Sequence, residues 1–293
     1  MNLRLKRCAL VIPVGIALSA CGGRVEESKA TPTVKPKLPS GVVAFRVPEI
    51  TEITDSQMVR SVVRGRAILE ATRDSLPHNV GNSLRCASCH FSAGTARNAL
   101  PWVGVYSRFP QYRPRSGHVD TIEDRINDCF ERSMNGTALS AASPSMRDIV
   151  AYLAFLSRGV PAGAKVDGQG LPKLDPAHGD TTRGLAIYSG QCAHCHGVAG
   201  QGTVEAPPVW GPKAFNDGAG MSRINVLASF AHELMPLDRP RTLSVQQAYD
   251  VASYIDSRPR PTFAGREHDW PHDSIPADLG YPLRRGVTHQ PHR

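Results

Sequence analysis

Apolar residues recur at helical spacing in several separated stretches of the chain. From Ser56 to Arg73, Met58, Val59, Val62, Val63, Ala67, Ile68 and Leu69 can share one stripe, and Pro77 ends it. Ser143-Pro144 opens a second helix, expected to run to about Ser157, with Ile149, Val150, Leu153, Phe155 and Leu156 on its apolar face. A third runs from about Asp180 to Ser189, a fourth from Ser222 to Leu234 and a fifth from Ser244 to Ser257. The segments between them, 94–120, 159–177 and 202–220, are rich in Gly and Pro and read as loops. Residues 22–44 carry Thr, Pro, Lys and Ser without apolar periodicity, and read as a flexible tether.

The helices come in matched pairs. Arg64-Gly65-Arg66-Ala67-Ile68 parallels Arg183-Gly184-Leu185-Ala186-Ile187, and Asp148-Ile149-Val150-Ala151-Tyr152-Leu153 parallels Asp250-Val251-Ala252-Ser253-Tyr254-Ile255. The glycine in each first helix would let it approach the last helix closely, at the aromatic. Each pair brackets a C-x-x-C-H pentapeptide, Cys86-Ala87-Ser88-Cys89-His90 and Cys192-Ala193-His194-Cys195-His196. Two thiols at this spacing add to the two vinyl groups of a haem, and the following imidazole becomes the proximal iron ligand. One copy could be a disulfide pair or a structural zinc site; two copies in matched surroundings point to two covalently attached c-type haems. Helix, C-x-x-C-H, loop, helix is the plan of a class I cytochrome c. The expected fold is therefore mainly α, two such domains in tandem with one haem each. The expected boundaries are 45–160 and 178–258, joined by a linker at 161–177 and followed by a surface-wrapping tail, 259–293. His268, His272, His289 and His292 of that tail are read as solvated.

The chain begins with basic Arg4, Lys6 and Arg7, an apolar run from Ala9 to Ala20, and Leu18-Ser19-Ala20-Cys21, which reads as a lipobox. Residues 1–20 are thus expected to be a lipoprotein export signal, with Cys21 lipidated and the protein anchored at the periplasmic side of a membrane. Gly22, rather than Asp, after the cysteine favours the outer membrane. The formal charge of +8 falls to +5 without the three signal cations, and this surplus favours small anions or an acidic partner. With no phosphate loop, no DNA-reading module and no basic run interleaved with aromatics, nucleic acid is excluded as a partner. Of seven cysteines, Cys8 leaves with the signal, Cys21 takes lipid and four take haem, so Cys129 is left over.

Each iron needs a sixth ligand from the loop before the last helix. In the second domain the Met235-Pro236 pair is the favoured source, against His232 and Met221. Met235 lies 39 residues after His196, and Cys129 lies 39 residues after His90. Equal spacing thus places the leftover cysteine at the sixth position of the first haem, with Met134 as the conventional alternative.

The stretch Arg125-Ile126-Asn127-Asp128-Cys129-Phe130-Glu131-Arg132-Ser133-Met134-Asn135-Gly136 resembles the cysteine-ligand motif of the dihaem thiosulfate dehydrogenases. The resemblance extends over roughly residues 45–275, through both haem motifs, Met235-Pro236 and Asp269-Trp270-Pro271. It implies His90 and Cys129 on the first iron, His196 and Met235 on the second, and catalysis at the first. It also implies two substrate arginines, Arg125 and Arg115, with a loop shift to Arg113 left open. Leu234 stands where some members carry a ligand-switching lysine, which puts that switch in doubt. The implied reaction couples two thiosulfates into tetrathionate, in either direction. A small c-type cytochrome or a terminal oxidase would be the electron acceptor. Thiolate ligation lowers a haem potential and His/Met ligation raises it, so electrons would run from the first haem to the second. Three other readings compete: a dihaem carrier without catalysis, a sulfur-oxidation cytochrome acting on a carrier-bound substrate, and, more weakly, a dihaem peroxidase.

Overall fold

The computed structural model describes residues 38–272 and 275–282. The export signal, Cys21, tether residues 22–37 and the end of the tail with His289 and His292 lie outside the described residues. The described residues belong to one compact unit that begins at Leu38.

Helix α1, Ser56–Glu70, starts where the Asp55 carboxylate accepts from the Gln57 amide at 2.7 Å. Its buried seam is narrower than the periodicity suggests. Val62, Gly65 and Leu69 face inward while Met58 and Val63 stay exposed. Close contact at Gly65 centres the buried seam on the residues one turn to either side of it, Val62 and Leu69. The helix ends at Ala71, and a further turn, α2, covers Thr72–Ser75. After the first haem motif comes the turn α3, Phe91–Gly94. The expected loop 94–120 then contains a hairpin, β2 Gln111–Arg113 paired antiparallel with β3 His118–Asp120. Helix α4, Ile122–Asp128, opens with a capping box between Thr121 and Asp124. It widens at its end into a π turn over Cys129–Ser133, where the Met134 amide donates to the Cys129 carbonyl at 2.9 Å. Helix α5 is Pro144–Leu156, with Ser143 as its cap.

The second domain repeats this order with α6 Thr181–Gln191, α7 Ala193–His196, α8 Ile224–Leu234 and α9 Val245–Asp256. The two domains share one helix–helix joint. A Cβ on Gly65 would stand 2.0 Å from the Asp148 carbonyl oxygen, and one on Gly184 2.1 Å from that of Asp250. Beside each glycine an arginine clamps the same aspartate, Arg64 to Asp148 and Arg183 to Asp250, both at 2.7 Å. These hydrogen bonds hold both carboxyls below the usual carboxylate range.

Three expected boundaries move. Val42–Val43, assigned to the tether, form strand β1 and pair in parallel with β4, Lys165–Val166, which falls in the expected linker. Linker residue Gln169 also reaches the first domain, donating to the Val103 carbonyl at 2.9 Å. The tail is more than a surface wrap, because Asp269, Trp270 and Tyr281 are buried. His268 and His272 are exposed, as expected. Between the domains, Asn82 donates to the Ser133 and Ala214 carbonyls, and Asn216 donates to the Glu131 carbonyl and to Asn135 Oδ1. Phe91, next to His90, meets Phe230 of α8 edge-on at 5.7 Å. Among the described residues no helix is long and apolar enough to cross a membrane.

Candidate functional site

Cys86, Cys89 and His90 line one cavity of about 280 Å³ together with Arg113, Arg125, Cys129 and Met134. Leu69, Trp102, Ile149 and Leu153 wall it with apolar surface. His90 Nδ1 lies 2.5 Å from the Leu100 carbonyl, to which it donates, leaving Nε2 with its lone pair free. Trp102 packs beside the ring at 4.7 Å between centroids. Burial pushes the Cys86 and Cys89 thiols up to about 12 and the His90 imidazole down to about 4, with Arg125 a further cause for His90. Two thiols, a neutral imidazole of fixed tautomer and an apolar wall form the donor set that a covalently bound haem requires.

The second motif repeats the tautomer device. His196 Nδ1 donates to the Pro207 carbonyl at 2.7 Å, and burial lowers this imidazole as well. Cys192 is pushed up to about 11 by burial. Cys195 is raised by desolvation and then by the nearby Glu205 and Asp238 carboxylates. Asp238 stands three residues after Met235, so the Met235 loop comes back to the haem motif. Met235 caps α8 at its C-terminus and is partly buried against the core. Of its competitors, Met221 lines a chamber on the first-domain side, and His232 Nδ1 is engaged with the Leu243 carbonyl at 2.8 Å.

Arg125 and Cys129 sit one turn apart where α4 meets the π turn. Arg125 Nη1 points at Cys129 Sγ from 3.1 Å. The negative charge that Cys129 can carry holds the guanidinium pKa up against burial. Cys129 and Met134 both line the cavity, but Met134 is fully packed in the core.

A second chamber, of about 710 Å³, adjoins the first and shares His90, Arg113, Arg125 and Cys129 with it. Its lining includes Arg108, Arg113, Arg115, Arg125, Arg132 and Arg223, with Asp128 as the acidic member. These arginines are not equivalent. Arg132 grips Asp269 with two hydrogen bonds of 2.8 and 2.9 Å and Asp128 with one of 3.0 Å. Arg223 is held by Asp278 at 2.6 Å. Arg115 donates to the Gly218 carbonyl at 2.7 Å, stacks 4.8 Å over Trp270, and lies 4.0 Å from Asp269. Arg108 donates to Gln169 Oε1 at 3.3 Å. The Arg113 guanidinium makes no hydrogen bond or ion pair among the described residues, and it lines both chambers. Burial, and then the Arg125 charge, lower its pKa.

The structure gathers Cys86, Cys89, His90, Cys129 and Arg125 around one cavity. Arg115 lies at the outer chamber with one donor on the Gly218 carbonyl, and Arg113 lines both chambers. Arg108, Gln169 and the Asp269 anchor were not foreseen; the Asp269-Trp270-Pro271 string was the only signal for the last.

Two cytochrome c folds, each with its C-x-x-C-H motif, define a c-type cytochrome that carries two covalently bound haems. Residues 78–162 match the SoxA/TsdA cytochrome c domain family, and residues 179–255 match the family described as cytochrome c oxidase, cbb3-type, subunit III. The chain is 42% identical to a thiosulfate dehydrogenase of Allochromatium vinosum, over 86% of this chain and 94% of that protein. It is 37% identical to one from Psychrobacter arcticus, over 92% of this chain and 81% of that protein. The solved thiosulfate dehydrogenase (TsdBA) of Marichromatium purpuratum superposes with a TM-score of 0.70 at 34% identity, covering 74% of this chain. The match spans half of that longer structure's chain. The chain belongs to the thiosulfate dehydrogenase family.

Proposed function

We propose that this protein oxidises two thiosulfates to tetrathionate in the chamber beside Cys129, a reaction it can also run in reverse. The observation that carries this reading is the meeting of a soft nucleophile, Cys129, with two guanidiniums, Arg125 and Arg113, at the same cavity as His90. Guanidinium offers paired donors to a sulfonate, and a thiolate sulfur matches the sulfane end of thiosulfate.

In this scheme Cys86 and Cys89 hold the first haem and Cys192 and Cys195 the second. His90 and Cys129 would hold the iron in the first domain, and His196 and Met235 in the second. Each haem supplies a one-electron sink. Arg125 and Arg113 bind sulfonate oxygens and aim the sulfane sulfur at Cys129. Joining the Cys129 thiolate sulfur to that sulfane sulfur gives up two electrons, which two one-electron haems would have the capacity to take. A second thiosulfate then attacks the sulfane sulfur, forms the central S–S bond of tetrathionate and returns Cys129 as thiolate. Electrons leave through the second domain to a cytochrome or an oxidase. We place the protein in the periplasm, lipid-anchored through Cys21.

The catalytic reading needs what a plain electron carrier does not: a cysteine beside the first haem motif and free arginines around it. Steady-state tetrathionate formation tests it. Cys129→Ala is expected to abolish turnover while both haems remain attached, and wild-type rates in that variant would sink the scheme.

A further inference from the structure

The two haem motifs differ in what covers them. In the first domain Phe91 follows His90 and packs against Phe230 of α8, so the second domain shields that side. In the second domain the corresponding surface is open. Val198 is 82% exposed, Leu237 is 67% exposed and Val204 is fully exposed. Val198 and Val204 flank the loop after His196, and Leu237 lies two residues after Met235. The loops are fastened around Cys195: Thr203 Oγ1 donates to the Cys195 carbonyl at 2.7 Å, and the Glu205 carboxylate stands 3.8 Å from Cys195 Sγ.

We propose that this patch is the docking surface through which a basic haem protein takes electrons from the second domain. The proposal rests on the electron exit assigned above. Three exposed apolar side chains around a covalent haem attachment suit the small, dry contact of a transient redox complex. Charge selects the occupant. Glu205 and Asp238 bring two carboxylates to Cys195, while Arg239 pairs with Asp238 at 3.5 Å. Glu205 is left without a cationic partner among the described residues, so the excess here is acidic on a chain whose formal charge is +8. The substrate end has the opposite sign, since its chamber is lined by arginines. A second copy of this chain would bring carboxylates to carboxylates, whereas a haem protein ringed by lysines would be steered in.

The test uses the holoprotein, reduced with dithionite and freed of reductant, then mixed in a stopped-flow cell with a ferric lysine-rich cytochrome c. This reads docking without thiosulfate. Glu205→Lys/Asp238→Lys is expected to lower the second-order rate about tenfold or more at low salt, with the difference closing at high salt. Val204→Ser/Leu237→Ser should also slow transfer, at any salt. Rates within twofold of wild type in both variants, at low salt and with intact haem spectra, would overturn the proposal. So would a concentration-dependent dimer of the wild type that the same substitutions dissolve. Thiosulfate-driven haem reduction in these variants, without acceptor, reports separately on the catalytic reading and is expected to be unchanged.

Discussion

Arg113→Ala separates the two candidate arginines of the outer chamber. Arg113 has no protein partner to lose among the described residues and faces the cavity of Cys129 and Arg125. Its donors are therefore free for substrate. A charge-assisted hydrogen bond contributes about 1.5–3 kcal/mol. At about 1.4 kcal/mol per decade, its loss corresponds to a roughly 10- to 150-fold fall in kcat/KM for thiosulfate. Relieving a partly buried guanidinium without partners should leave stability unchanged or slightly higher. Arg115 predicts the reverse. Its guanidinium already donates to Gly218 and stacks on Trp270, so Arg115→Ala removes structural contacts and lowers the melting temperature, with a smaller kinetic effect. Thiosulfate titrations of both variants, paired with thermal melts, decide the matter. The reasoning fails if Arg113→Ala keeps kcat/KM within twofold while Arg115→Ala loses tens of fold at an unchanged melting temperature.

Other perturbations probe the frame. Gly184→Ala puts a Cβ 2.1 Å from the Asp250 carbonyl, so α6 and α9 must separate; overpacking of this kind costs about 1–3 kcal/mol and should appear as a lower midpoint in denaturant. Asp269→Ala takes two hydrogen bonds from the Arg132 guanidinium, leaving it Asp128 as its carboxylate partner, and removes the partner of the Tyr281 hydroxyl; losing one partner of a buried pair costs about 3–5 kcal/mol, and limited proteolysis should then cut the tail. Burial raises Asp256 to about 6, so its ionisation opposes folding: its contribution is best below the ordinary carboxyl pKa and is lost as pH rises through about 6. Asp256→Asn should flatten the melting temperature over that window, and an unchanged slope would refute the assignment.

Much of the frame was legible because it is local and repeated. The Arg-Gly and Asp-x-x-x-Tyr strings mark the helix joint in both domains, and C-x-x-C-H states its own chemistry. The outer chamber was not legible, since it is built by pairings that helical periodicity does not report. In the hairpin, alternate residues share a face: Gln111 and Arg113 line the cavity while Tyr112 between them is exposed. Arg115 lies past the strand, in the turn, and its side chain swings to Gly218. Counting back from Cys129 cannot see that switch. The buried tail was hidden for a similar reason, because Asp269 and Tyr281 are polar residues buried by their partners rather than by an apolar pattern.

The central claim is that thiosulfate chemistry occurs at Cys129. The most direct test is anaerobic mixing of the fully oxidised protein with thiosulfate, following the haem bands and the tetrathionate formed. The account predicts reduction of both haems in the wild type, one tetrathionate per two electrons taken up, and no reduction in Cys129→Ala. Reduction at wild-type speed in Cys129→Ala, or none in the wild type, would contradict it.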